Sequence, residues 1–289
     1  MDEGGGRHVA IDDTRLYVVE RGTGLPVIVL HGGPGLDHHE FADYLDPLAE
    51  RCRLILPDQR SQGRSDPAPE HTWTLERMAQ DVIMLARAME LDHHVVLGHS
   101  YGAFVALQNA VDYPGQALAT IVSCGLPSMR YFESVQENLR TFEPAWLRQQ
   151  VMDSWAREAS AQTAEDFASI IRDQWPFQFA DPLDPRIEGY LERSAGVYAP
   201  DVLSHFASDA YGGIEVEDRL AEIAVPVLVL AGRHDRTCVA EAAEAMAAAI
   251  QGAELVVLER SGHMPFVEET EAYLAAVGAF LDRVTGEIG

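Results

Sequence analysis

Residues 93–111 read HHVVLGHSYGAFVALQNAV. An apolar run enters Gly98-His99-Ser100-Tyr101-Gly102, and an amphipathic stretch leaves it. A strand thus hands over to a helix across a serine with a glycine two residues away on either side. A serine hydroxyl is a weak nucleophile and must be held where a base and a carbonyl both reach it. A sharp strand-to-helix turn lifts it above the C-terminal edge of a sheet, and that turn leaves no room for side chains at the two glycine positions. The following helix points its positive end at the same place, where an oxyanion would form. Ser100 is therefore the candidate nucleophile.

The same alternation extends in both directions. TRLYVVER alternates as a half-buried strand does, followed by PVIVL, then the glycine loop HGGPG, then CRLILP and the polar loop DQRSQGRSDPAPEH. Leu75, Met78, Ala79, Val82, Ala86 and Met89 share one helical face, with Thr74 as N-cap. LATIVSC, PVLVLAG and AELVVLE are further buried strands. YGAFVALQNAVDY, VAEAAEAMAAAIQG and ETEAYLAAVGAFLDRV are helices. Unbroken apolar strands alternating with amphipathic helices predict a mostly parallel sheet covered on both faces. Over residues 125–213 the strands stop. This block is helical and aromatic, holds three of the four tryptophans and shows a capping box at Thr163 and Asp166. The expected organisation is a core of residues 1–125 and 214–289 with a helical cap of 126–213.

A nucleophilic serine needs a base, and the base needs an orienting acid. With this turn they follow in the order Ser, acid, His. Asp235 comes just after PVLVLAG, and His263 just after AELVVLE. Strand ends of a parallel sheet converge on one face, so His263 is the candidate base and Asp235 its orienter. The negative oxygen of the transition state needs backbone N–H donors. Tyr101, directly after the nucleophile, and Gly33 in HGGPG are the candidates. His99 and His234 neighbour the reactive groups and are read as packing residues; His93 and His94 mark a strand entrance. His38 and His39 lie near the glycine loop with no role assigned.

The composition excludes other classes. Forty-six acids against twenty-one arginines give a net charge of −25, which repels phosphate backbones and anionic membrane surfaces. The chain has no lysine, so Schiff-base and lysine-base chemistry is out. Cys52, Cys124 and Cys238 follow no metal-ligand spacing and read as buried apolar side chains. No metal and no cofactor are expected. MDEGGGRH has neither a basic n-region nor an apolar h-region, and no apolar run reaches the length of a membrane span. The expected location is the cytoplasm.

Together, HGGPG, DQRSQGRS and GHSYG resemble the α/β-hydrolase family, and more closely its proline iminopeptidase-like branch and esterase relatives. The resemblance spans the chain. It implies a mostly parallel sheet flanked by helices with an inserted helical cap, a triad of Ser100, Asp235 and His263, and an oxyanion hole at Gly33 and Tyr101. It also implies a cofactor-free serine hydrolase acting through an acyl-enzyme on a small molecule or short peptide. The leading expectation is an aminopeptidase releasing N-terminal proline or another small residue. A carboxylesterase or lactonase with the same triad is the alternative, and a non-catalytic ligand receptor a minor one. Two departures stand out. Ser61 replaces the first glycine of a D-Q-R-G-x-G-x-S loop. A cap segment like N-G-P-x-E-F, whose glutamate holds the substrate amine in that branch, is not found. Glu188, Glu192, Glu215 and Glu217 are the amine-binding candidates in its place.

Overall fold

The computed structural model describes residues 5–286, so the reading of the first four residues lies outside the described residues. Eight strands form one sheet in the order β1-β2-β4-β3-β5-β6-β7-β8. They are β1 (Arg7–Ile11), β2 (Thr14–Gly22), β3 (Leu25–Leu30), β4 (Cys52–Pro57), β5 (Val95–His99), β6 (Ala119–Ser123), β7 (Val227–Gly232) and β8 (Glu254–Leu258). β1–β2 and β2–β4 pair antiparallel, and every later pair is parallel.

The helices are α1 (Leu75–Ala88), α2 (Tyr101–Asp112), α3 (Phe132–Thr141), α4 (Ala145–Glu158), α5 (Ala164–Gln178), α6 (Arg186–Arg193), α7 (Pro200–Ser208), α8 (Ala240–Ala249), α9 (Pro265–Glu268) and α10 (Thr270–Gly286). Thr74 caps α1 by accepting from the Arg77 N–H, and Thr163 and Asp166 form a reciprocal capping box on α5.

The strand pleat sorts the core into two layers. Ile28 and Val96 face α1, α2 and α8, while Val27, Val29, Val95 and Leu97 face α10. Helices α3–α7 are inserted between β6 and β7; α3, α4 and the end of α5 bury a small cluster around Val135, Phe142, Val151 and Phe177, while Phe167, Tyr190 and Leu203 of α5–α7 join the core of the sheet. Among the described residues, no helix is long and apolar enough to cross a membrane.

One strand, β1, is not among those expected, and one local expectation, the alternation of β2, changes. β1 follows a charged N-terminal stretch and has only Val9 and Ile11 buried, too few to announce a strand. β2 does not alternate: Leu16, Tyr17, Val18 and Val19 are all buried. Its outward face is covered as well, because the Tyr17 ring packs against His8 and His38 with the Arg64 guanidinium over it.

Candidate active site

The turn between β5 and α2 holds Ser100 at φ 54°, ψ −120°, in a region L-residues seldom occupy. The sterics explain its flanks. A Cβ on Gly98 would lie 2.1 Å from the Gly102 carbonyl oxygen, and one on Gly102 would lie 2.2 Å from that of Leu30. Only glycine therefore fits at those two positions.

Ser100 Oγ is 2.8 Å from His263 Nε2, and His263 Nδ1 is 2.7 Å from Asp235 Oδ2. Asp235 leaves the end of β7, and its other oxygen accepts from the Thr237 and Cys238 N–H groups and the Thr237 hydroxyl. The carboxylate is thereby held with Oδ2 aimed at Nδ1. Burial alone would push the His263 pKa down. The charge and hydrogen bond of Asp235, with the charges of Glu40 and Glu268 behind them, outweigh that, and the pKa moves up.

The loop carrying His263 is braced by Glu268. This carboxylate accepts from the Gly262 and Met264 N–H groups on either side of the histidine and from Ala180 N–H in the insertion. Burial pushes its pKa up to about 7 against those donors. Arg236, next to Asp235, donates to the carbonyls of Phe177, Phe179 and Ala180. One turn of the insertion is thus fastened to both the acid and the base loop.

Tyr101 opens α2, so its N–H has no intrahelical acceptor. Gly33, at φ 106°, also lines the cavity. The glycine loop is held by side chains: Gly32 N–H donates to Glu40, Gly35 N–H to Gln62, and the Gln59 amide to the His31 carbonyl. Ser61, the departure in the next loop, has φ 61°. Its hydroxyl accepts from the Ala68 N–H and the Trp73 indole, contacts that hold a non-glycine residue in a left-handed turn. Arg60 beside it is fully buried between Asp13 and Asp81.

The nucleophile faces a cavity of about 120 Å³, well below the ~300–1,000 Å³ of sites for drug-sized ligands. Phe104, Phe132, Trp155, Phe167, Trp175 and Tyr211 form much of its wall. The four glutamates expected to bind an amine are not on that wall. Glu188 and Glu192 are exposed on α6. Glu215 accepts from the Ser128 hydroxyl and Met129 N–H, and Glu217 is paired with Arg130 and Tyr131. The carboxylates that do line the cavity are Glu40 and Glu158. Both are buried, at 4% and 5% exposure. Glu158 accepts from the Gln174 amide and the Tyr211 hydroxyl, and its pKa is raised by burial. In the sequence, Glu158 ends an amphipathic helix and Glu40 sits in HHEF; nothing local distinguishes either from a solvated acid.

The histidines take structural places. His99 is buried against Phe266 with Nδ1 toward Ser123, and His234 is exposed. His38 pairs with Asp58, and His39 with Asp37. Among the described residues two trios, Asp37-His38-His39 and Cys124-Asp235-His263, bring ligand-type atoms together. Their imidazole Nδ1 atoms are already committed to carboxylates, so neither trio offers an open set of donors. The three cysteines are free and buried.

Residues 26–270 match the family model described as alpha/beta hydrolase fold. The chain belongs to the alpha/beta hydrolase family. Within it this hydrolase falls in the proline iminopeptidase-like branch: it is 30% identical over 273 residues to a proline iminopeptidase of Heyndrickxia coagulans, covering 92% of this chain and 93% of that one. It is 29% identical to one of Saccharolobus solfataricus, covering 93% and 88%. Among solved structures, a proline iminopeptidase of Mycobacterium smegmatis superimposes with a TM-score of 0.79 at 23% identity over 99% of this chain and 100% of that chain. An esterase of Exiguobacterium antarcticum gives 0.76 at 24% over 96% and 100%. These two likenesses are of fold. The alpha/beta hydrolase carries a Ser-His-Asp arrangement and is a serine hydrolase.

Proposed function

We propose that this serine hydrolase is an aminopeptidase that releases N-terminal proline or another small residue from a short peptide. The observation that carries the reading is a small aromatic cavity around Ser100 with buried carboxylates in its wall. A buried ammonium without a carboxylate partner is costly. A cavity with such carboxylates therefore suits an acyl group that bears a cation.

In this reading Ser100 Oγ attacks the carbonyl carbon while His263 Nε2 takes its proton. Asp235 fixes the tautomer and stabilises the imidazolium. The Gly33 and Tyr101 N–H groups receive the oxyanion. His263 then gives the proton to the leaving amine, the C–N bond breaks, and the acyl group stays on Ser100. Water, deprotonated by the same histidine, attacks the ester, and the freed residue leaves with Ser100 reprotonated. The negative surface leaves nucleic acids and anionic membranes unfavoured as partners, and the cytoplasm is the location in keeping with the absence of cysteine pairing.

The test compares prolyl anilide with its N-acetylated form on one preparation. A lost charge-assisted contact is worth about 1.5–3 kcal/mol, or roughly tenfold to a hundredfold in kcat/KM. Equal values beside rapid cleavage of short acyl esters or lactones would instead support the esterase reading, which the apolar share of the cavity wall favours.

A further inference from the structure

We propose that Glu40, carried by the core beside the glycine loop, is the carboxylate that receives the substrate's α-ammonium. The proposal rests on the aminopeptidase reading and names the residue that makes it selective.

Glu40 lies on the short 3-10 helix His38–Phe41, whose N-cap Asp37 accepts from the His39 N–H. Its main chain is pinned from the insertion, because the buried Tyr190 hydroxyl of α6 donates to the Glu40 carbonyl at 2.9 Å. Its side chain turns into the cavity. Oε2 accepts from the Gly32 N–H at 2.5 Å, and Oε1 has no protein donor among the described residues. A methyl group placed on Gly32 would come within 2.7 Å of Oε1 and 3.0 Å of Ser100 Cβ. Carboxylate and nucleophile therefore look at each other across a single glycine.

That placement suits an α-amine and little else. The carbonyl carbon must come within about 3–3.5 Å of Ser100 Oγ before attack. The α-nitrogen is two bonds from that carbon, about 2.5 Å away. Its partner must therefore stand beside the nucleophile, as Glu40 does. Glu158 already accepts from Gln174 and Tyr211, one donor on each oxygen. Glu40 keeps an oxygen open.

The charge balance gives selectivity beyond simple attraction. An ionised Glu40 close to the oxyanion site repels the negative oxygen of the transition state. A substrate ammonium cancels that repulsion, whereas an N-acylated or plain acyl substrate leaves it in place. The titratable groups around Glu40 are His263, Asp37, His38 and His39 on its own segment, Tyr190 of α6 and Tyr273 of α10. Burial pushes the Glu40 pKa up to about 7, opposed by the Gly32 N–H and by His263. A bound ammonium favours the charged form, so the preference for a free amine should strengthen as the pH rises toward 7.

The experiment measures the ratio of kcat/KM for prolyl anilide to that for N-acetylprolyl anilide in the full chain. It uses wild type, Glu40→Gln and Glu158→Gln near neutral pH, each checked for its fold by circular dichroism. Both substrates share the same chemistry, so damage to the glycine loop cancels in the ratio. The expected result is an about tenfold to hundredfold lower ratio in Glu40→Gln, a smaller change in Glu158→Gln, and a pH dependence of the ratio that Glu40→Gln flattens. A ratio that survives in Glu40→Gln, or that collapses in Glu158→Gln alone, overturns the assignment while the aminopeptidase reading stands. A wild-type ratio near one overturns both.

Discussion

The cavity has two unlike walls. On the core side, Ser100, Asp235 and His263 leave the ends of β5, β7 and β8, and each is fixed by short hydrogen bonds or by glycines that tolerate no replacement. On the insertion side, Trp155, Phe167, Trp175 and Tyr211 present rings, with one polar knot of Glu158, Gln174 and Tyr211. Bond making needs atoms placed within fractions of an ångström, and the ends of strands paired in one sheet supply such fixed points. Selectivity needs shape and charge, which side chains on the inserted helices supply; Trp155 packs on the insertion's own small cluster, while Phe167 and Trp175 join the core of the sheet. The walls meet at residues 177–180, tied down by Arg236 and Glu268.

The largest effects should come from the core wall. Ser100→Ala should fold as wild type does and lose about 10⁶ in turnover. Steady-state hydrolysis with a thermal melt as control checks this, and near-normal turnover would break the contrast at its root. Asp235→Asn keeps the shape but presents an N–H to Nδ1, favouring the wrong tautomer, and should lower kcat by up to about 10⁴. A larger loss from Glu259→Gln, an exposed acid paired with Arg233, would move the acid role elsewhere.

The seam should give a middling effect. Glu268→Ala strips the acceptor from three backbone N–H groups, two of them flanking His263. Leaving such groups unpaired costs roughly 1–3 kcal/mol, read as a lower denaturation midpoint, and kcat should fall with it. Glu268→Gln, which keeps an acceptor, should recover part of both losses. If neither variant changes kcat, the turn at 177–180 is not what holds the base loop.

The mildest test uses pH. His263 must be neutral to take the Ser100 proton, and its pKa lies above the usual histidine value. In the free enzyme, kcat/KM should therefore begin to fall on acidification at a pH above about 6.5 and drop about tenfold per further unit. A limb below that value would mean that Asp235 and its neighbours do not outweigh burial.

What could be read from the chain follows the same division. The turn at Ser100 was legible because the need for Gly98 and Gly102 arises within five residues. Asp235 and His263 were legible because each closely follows a strand, and parallel strands bring their ends together. Glu40 and Glu158 were not, because an acid's burial is decided by segments distant in sequence: Tyr190 reaches Glu40 from α6, and Tyr211 reaches Glu158 from beyond α7. The choice of Glu188, Glu192, Glu215 and Glu217 relied on their place in the chain, which carries no information about which way a helix turns its charges. Arg236 and Glu268 resemble surface residues until residues 177–180 fold down between them. Ser61 looked like a lapse from a glycine pattern, yet Ala68 and Trp73 support its backbone.

The central claim is that Ser100 is the nucleophile of this hydrolase, activated by His263 and Asp235. Reaction with a fluorophosphonate, followed by mass spectrometry of the digested protein, tests it most directly, since only an activated serine attacks phosphorus quickly. The account predicts one adduct, on the peptide containing Ser100, that is absent in folded Ser100→Ala and forms far more slowly in Asp235→Asn. An adduct on another serine, or labelling that persists undiminished in Ser100→Ala, would contradict it.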